Sequence, residues 1–182
     1  MTARSRILNI QRLMSVNVPG MLDVWRMVAA RRGFEGRLPL SALERLQGLL
    51  FDAEGDVGYA LQFDSDPLLK VPCAELRIDA ELPLECQRSL QRFLFPVHLV
   101  QRLGLIRDEA DEAALPAGYE ALLVPEDGMM RLQDLVEDEL VLAVPAVPMN
   151  PETDAVDRDW PIPEQELAQA SPFAALSSLK KN

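Results

Sequence analysis

The sequence predicts an α+β domain: an antiparallel sheet of about four strands, with two N-terminal helices and one acidic C-terminal helix, followed by a flexible tail. Two changes of period in the apolar pattern predict it. Apolar residues recur at helical spacing over 21–32 and 41–51, alternate with polar residues over 56–64 and 74–86, and return to helical spacing over 132–144. The third observation is size. A chain of 182 residues with 48% hydrophobic and 26% charged residues is long enough for one domain with a substantial core, and its composition is not that of a disordered or membrane-spanning protein. The domain is read as residues 1–148, followed by an acidic, Pro-rich linker over 149–170 and a short helical segment over 171–182.

The first helix runs from Met21 to Arg32. Met21, Leu22, Val24, Trp25 and Val28 form its apolar face, Arg31 and Arg32 occupy its last turn, and Gly33 is placed to end it. The second follows Pro39. Ser41 and Glu44 have the spacing of a capping box, and Leu43, Leu46, Leu49 and Leu50 share one face as far as Phe51.

Val57, Tyr59, Leu61 and Phe63 then alternate with Gly58, Ala60 and Gln62, which places a strand between Asp56 and Asp64. Asp64-Ser-Asp-Pro67 turns the chain. Ala74, Leu76, Ile78, Ala80, Leu82, Leu84 and Cys86 point one way, and Glu75, Arg77, Asp79, Glu81 and Glu85 the other, as in a long half-solvated antiparallel strand. After a polar turn over 87–91, Phe93, Phe95, Val97 and Leu99 make a third strand, with Pro96 marking an edge or bulge. An acidic loop over 107–117 leads to a fourth strand over 119–124 and a turn over 125–128. The acidic helix over 132–144 is read with Asp134, Glu137 and Asp138 outward and Glu139 beside them; Pro145, Pro148 and Pro151 end it.

The formal charge of −11 is unevenly spread. Residues 1–50 carry +5, residues 51–107 carry −3, residues 108–170 carry −15 and the last twelve carry +2. The net charge opposes broad capture of phosphate backbones, which cationic side chains drive through counterion release. It makes a basic partner more plausible than an acidic one.

Chemistry-bearing residues are few. Cys73 and Cys86 allow at most one disulfide, Met1 to Gln11 is polar and basic without the apolar core of an export signal, and the expected compartment is the cytoplasm. His98 is the single histidine, read as an outward residue of its strand. Walker, Rossmann and nucleophile-elbow patterns are absent, so no catalytic residue is assigned. Trp25 reads as core, and Trp160 as an aromatic anchor within the linker.

Four segments, in order, resemble one family. Leu84-Glu-Cys-Gln-Arg88, Leu115-Pro-Ala-Gly-Tyr119, Leu135 through Pro148, and Ser171 through Lys181 are similar to the YceD family of large ribosomal RNA subunit accumulation proteins, over roughly residues 16–182. The resemblance implies a small bacterial cytoplasmic protein, with plastid relatives, that is required for normal accumulation of 23S ribosomal RNA and whose gene neighbours that of a large-subunit ribosomal protein. Many relatives carry Cys-x-x-Cys where this chain has Cys86-Gln-Arg-Ser89, and a second cysteine segment after the counterpart of Pro148. A zinc site takes about four thiolate or imidazole ligands. With Ser89 in the second position and neither Cys nor His over 149–156, the expectation is that the zinc site is lost, that no other cofactor takes its place, and that Cys86 is a small buried residue.

Three candidate surfaces follow. Glu137, Asp138 and Glu139 are either a solvated helix face or a recognition surface for a basic partner; consecutive helical positions lie about 100° apart, so they do not converge as an acid–base pair. Phe173, Leu176 and Leu179 share one face of a short helix, which docks on its own domain or on a partner. Arg26, Arg31, Arg32 and Arg37 are candidates for RNA contact or for ordinary surface pairing. The function expected is a non-enzymatic ribosome-biogenesis factor that binds a basic ribosomal protein or a large-subunit assembly intermediate. The alternative is a direct RNA-binding module built on the N-terminal arginines. Neither a membrane nor a small-molecule substrate is expected.

Overall fold

The computed structural model describes residues 20–152 and the backbone of Met14 and Ser15. In chain order it contains β1 (Met14–Ser15), β2 (Leu22–Asp23), α1 (Val24–Ala29), β3 (Gly33–Pro39), a 3-10 turn (Leu40–Ala42), α2 (Glu44–Gln47), β4 (Asp56–Ser65), β5 (Pro72–Glu85), β6 (Arg92–Ile106), a 3-10 segment (Glu109–Ala114), β7 (Glu120–Leu123), β8 (Met129–Met130) and α3 (Leu132–Ala143). The α+β class stands, but the sheet is not four antiparallel strands. It is mixed, in the order β1-β3-β4-β5-β6-β7, with the four middle strands antiparallel and β1 and β7 joining parallel at the two edges. A separate two-stranded ribbon pairs β2 with β8.

Alternation builds the meander. On β4, Val57, Tyr59, Leu61 and Phe63 are buried; on β5, so are Ala74, Leu76, Ile78, Ala80, Leu82 and Leu84; on β6, Phe93, Val97, Leu103 and Leu105 continue the same layer. The helices close this face through Val24 of α1, Leu46 of α2 and Leu132, Leu135, Val136 and Leu140 of α3. At about 1.5–3 kcal/mol for each fully buried large aliphatic side chain, Leu76, Ile78, Leu82 and Leu84 of β5 alone contribute on the order of 6–12 kcal/mol.

Four expectations need correction. The first helix begins at Val24, where the Asp23 side chain accepts the Arg26 N–H at 3.0 Å as its N-cap, and it ends at Ala29. Gly33 opens a strand that the sequence reading missed, with Phe34 buried and Leu38 packed against the core. The second helix shrinks to the single turn of α2. Ser41 makes no cap, and Phe51 N–H is drawn to Pro83 O at 2.8 Å, which takes the chain out of helical geometry. The third strand is longer than expected, reaching Ile106, and the fourth runs parallel to it with Ile106 opposite Leu123. A parallel pair needs a crossover, and the acidic segment before β7, part of it 3-10 helix, supplies one.

Trp25 lies at the margin of the core, with the Arg107 guanidinium 4.0 Å from its ring centroid. Residues 149–152 follow α3 as ordered chain, while the remainder of the linker, Trp160 and the segment with Phe173, Leu176 and Leu179 lie outside the described residues. No helix among the described residues is long and apolar enough to cross a membrane.

Gly128 joins the ribbon to the core. Its φ is +71°, its carbonyl accepts the Val24 N–H at 2.9 Å, and a Cβ there would stand 2.9 Å from Trp25 Cδ1. Gly128→Ala is expected to cost about 1–3 kcal/mol through both strain and clash, read as a lowered midpoint in chemical denaturation.

Candidate partner-binding surface

The acidic run of α3 is divided between the interior and the surface. Glu137 is 4% exposed and Glu139 7%, which corrects the expected outward face. Glu137 Oε1 accepts the backbone N–H of Arg45 at 2.6 Å and of Leu46 at 3.2 Å, while Oε2 takes Arg45 Nε at 3.2 Å. Those two N–H groups belong to the first turn of α2, whose N-cap residue, Leu43, has no side-chain acceptor to offer. A carboxylate 92 residues away in sequence therefore does the work of the missing cap. Arg45 Nη1 meets Asp138 Oδ1 at 2.5 Å and Nη2 meets the Asp134 carbonyl at 3.2 Å, so the Arg45 guanidinium is held above its usual pKa by Asp138 and then Glu137. Gln133 Nε2 adds a bond to Ala42 O at 2.6 Å.

Glu139 has a different setting. Burial raises its pKa, the nearby Glu120 raises it further, and the Gln101 side chain opposes both. Gln101 Nε2 also donates to Glu120 Oε2 at 2.9 Å. Of the three acidic residues singled out on α3, Asp138 alone is exposed, and it is already paired.

Exposed acids lie elsewhere. Asp108, Glu109, Asp111 and Glu112 are all exposed around the 3-10 segment, as are Glu126 and Asp127 after β7. Because β6 and β7 run parallel with Ile106 opposite Leu123, both groups leave the sheet at the same end. Composition did mark 108–170 as acidic, but which carboxylates face solvent depends on tertiary packing.

The four arginines do not form one patch. Arg26 is exposed beside its own N-cap, Arg31 has φ 48° and pairs with Asp64 at 3.3 Å, and Arg32 is half-buried with its carbonyl accepting the Phe63 N–H. Arg37 is exposed on the open face of the sheet, opposite Gly58, and roughly 16 Å along the strand from Arg32. His98 is on the same open face, as expected for an outward residue, with Nδ1 2.8 Å from Asp79 Oδ1.

Two hairpin turns, twenty residues apart, share one geometry that the sequence reading did not identify. In the first, Asp66 N–H bonds Val71 O, Lys70 N–H bonds Asp66 O, Lys70 has φ 58°, and Asp66 Oδ1 accepts the N–H of Leu68 and Leu69 at 2.9 and 2.8 Å. In the second, Cys86 N–H bonds Gln91 O, Leu90 N–H bonds Cys86 O, and Leu90 has φ 56°. Here the sulfur occupies the carboxylate's place. Ser89 Oγ is buried without a well-formed hydrogen bond, and its influence on Cys86 is the largest of those that lower the thiol to about 6, followed by the N–H of Asn150, 3.4 Å from Sγ, and those of Ser89 and Arg88. Gln87 N–H reaches Pro148 O at 2.9 Å and ties this turn to the chain after α3. Among the described residues its side chains supply one thiol, Cys86, and one hydroxyl, Ser89, and no cluster of three metal-ligating side chains occurs there. Two such donors fall short of the four that tetrahedral zinc takes.

Tyr119 pins the other turn, its hydroxyl donating to Asp66 Oδ2 at 2.9 Å, and burial with Asp66 pushes its pKa up to about 12. Leu115 lies directly over Gly104, where a Cβ would come within 2.6 Å of its Cδ2. Cys73 is half-buried nearby, its pKa raised chiefly by burial.

The family model described as Large ribosomal RNA subunit accumulation protein YceD matches residues 74–180. The Large ribosomal RNA subunit accumulation protein YceD of Haemophilus influenzae is 30% identical to this chain over 176 residues, which is 93% of this chain and 99% of that protein. No solved structure is significantly similar.

The two buried glutamates are expected to respond in opposite directions. Glu137→Ala leaves two N–H groups and a guanidinium without their acceptor and is expected to cost about 3 kcal/mol. Glu139→Gln keeps shape without charge and is expected to raise the melting midpoint by about 1–3 °C at pH 7. Since the folded pKa of Glu139 lies above the ordinary 4.5, its penalty is absent below that value, grows as pH rises above it and is complete once pH passes the folded pKa. Thermal melts of both variants between pH 4 and 8 check the signs; a gain for Glu139→Gln that is the same at pH 4 and pH 7 would count against the assignment.

Proposed function

The chain belongs to the YceD family of large ribosomal RNA subunit accumulation proteins, and from that premise we propose that it is a ribosome-biogenesis factor needed for 23S ribosomal RNA synthesis, processing or stability. The observation that carries the proposal is the near end-to-end similarity to a protein of that name. It acts in the cytoplasm, by binding rather than by chemistry. The lone histidine is engaged with Asp79 on an open sheet face, and the carboxylates of α3 serve to cap α2 or lie buried apart, which leaves no converged acid–base pair among them.

Its partner is a basic ribosomal protein or a large-subunit assembly intermediate. The exposed acids at the shared end of β6 and β7 favour such a partner: Asp108, Glu109, Asp111, Glu112, Glu126 and Asp127 make no ion pair among the described residues, whereas Glu137 and Asp138 are committed to Arg45. Direct contact with RNA through Arg26, Arg31, Arg32 and Arg37 has less support, because Arg31 is paired, Arg32 is half-buried and Arg37 stands apart.

Capture from a lysate on the tagged full chain, with and without ribonuclease, separates the two. Retention of a basic large-subunit protein after digestion, lost when Asp108, Glu109, Asp111 and Glu112 are changed together to Asn or Gln, is the expected result. Loss of all bound material on digestion would instead favour RNA contact. The chain is also proposed to fold without zinc, so elemental analysis is expected to find less than about 0.1 zinc per chain, and one stoichiometric zinc would overturn that reading.

A further inference from the structure

The strand β6 leaves a stretch of its outer side open. It pairs with β5 in one unbroken register over Arg92–Gly104, whereas β7 covers only Leu103–Ile106, so Arg92 to Arg102 has no second strand among the described residues. Two bonds fix the direction of its peptide groups. Pro83, opposite Leu94, has no N–H and gives its carbonyl to Phe51, and Ile106 O accepts the Val124 N–H just beyond β7. The even-numbered residues of β6 therefore aim their backbone groups away from β5, which leaves Leu94, His98, Val100 and Arg102 with outward N–H groups. Pro96 falls on the same side, where its missing donor costs the β5 pairing nothing. Folded proteins cover or blunt such edges. Here the chain itself passes the start of one: Gln87 N–H holds Pro148 O, Asn150 N–H lies 3.4 Å from Cys86 Sγ, and Met149 to Glu152 line a groove with Leu94 and Pro96. It thus leaves the described region at the Arg92 end of β6, running in the direction of that strand.

We propose that residues 152–160 of the same chain fill this edge as a strand parallel to β6 and in line with β7. The spacing of prolines fits. Glu152 to Trp160 is free of proline between Pro151 and Pro161. From the groove at Leu94, eight steps of roughly 3.3 Å carry the chain to Trp160 at the level of Arg102. There β7 takes over the edge, and Pro161 and Pro163, which have no N–H to give, end the pairing. A parallel strand needs a long crossover, and the run through β7 and α3 supplies it. Charge agrees as well. The strand β6 carries no acid from Arg92 to Ile106, while 152–160 holds Glu152, Asp154, Asp157 and Asp159 against Arg158. Arg92 and His98 are already paired with Asp52 and Asp79. Arg88 at the exit, whose guanidinium touches Met149 Sδ, and Arg102 at the far end, set over the Tyr119 ring, make no ion pair among the described residues and bracket the path. Leu94 and Val100, 46% and 62% exposed, flank it on the open face of the sheet.

Residue-resolved amide exchange on the full chain tests this. Exchange at Leu94, His98 and Val100 is expected to be at least about tenfold slower than in a variant carrying both Val156→Pro and Asp157→Pro. Those positions are adjacent, so one of them turns its N–H to β6 in either register. A control with Gln165→Pro and Glu166→Pro, beyond the stretch, is expected to keep the slow rates. Leu76 and Ile78 of β5, inside the sheet, are expected to be equally protected in all three chains. Equal exchange at Leu94, His98 and Val100 with and without the first pair of prolines overturns the proposal, and so does a loss of protection that Leu76 and Ile78 share. Protection that grows with protein concentration between about 10 and 200 µM would put another copy on the edge instead, and overturns it too.

Discussion

The one-sided alternation of β5 is the constraint on which the other elements depend. Its inward residues from Ala74 to Leu84 are buried and its outward residues are largely charged, so a slip of one residue in pairing would drive Glu75, Arg77, Asp79 and Glu81 into the core. The cost would exceed the stability of an ordinary domain. With that register fixed, β4 and β6 have one alignment each, Cys86 arrives at the end of the strand under Asn150, and Gln87 is presented to Pro148. Tyr119 can reach Asp66 only because β7 is aligned on β6.

Against this sheet the short helices depend on one another. A four-residue helix is too short to be stable alone. α2 persists because Glu137 supplies two hydrogen bonds to its first turn and Leu46 is driven into the core. The acidity of α3 is thus partly architectural. A count of charges along the chain finds the negative segment correctly but says nothing about which carboxylates are available to a partner, and here the most conspicuous cluster is not.

Much of the fold was legible because it obeys local periodicity. The strands at 56–64 and 74–86 and the helix at 132–144 follow directly from the spacing of Val57 to Phe63, Ala74 to Cys86 and Leu132 to Ala143. What was hidden depends on distant partners. Gly33 and Gly36 disguise β3, whose Phe34 and Leu38 are recognisable as strand residues only once β4 lies beside them. The capping-box spacing of Ser41 and Glu44 is overridden by a carboxylate from α3. Parallel attachment of β7 has no sequence signature in four residues. For the candidate surface, residue types were readable and exposure was not, since Glu137, Asp138 and Glu139 are consecutive in sequence yet divide between core and solvent.

The paired turns at Asp66 and Cys86 bear on how this corner of the fold tolerates change. Both close through the same backbone bonds and the same left-handed residue at the fifth position, whether the acceptor at the first is a carboxylate or a sulfur. The peptide groups, not the identity of any side-chain ligand, hold the loop in shape. Such a corner can exchange one donor atom for another at its first position without its backbone being rebuilt, so the side chains it presents are set independently of the loop that carries them.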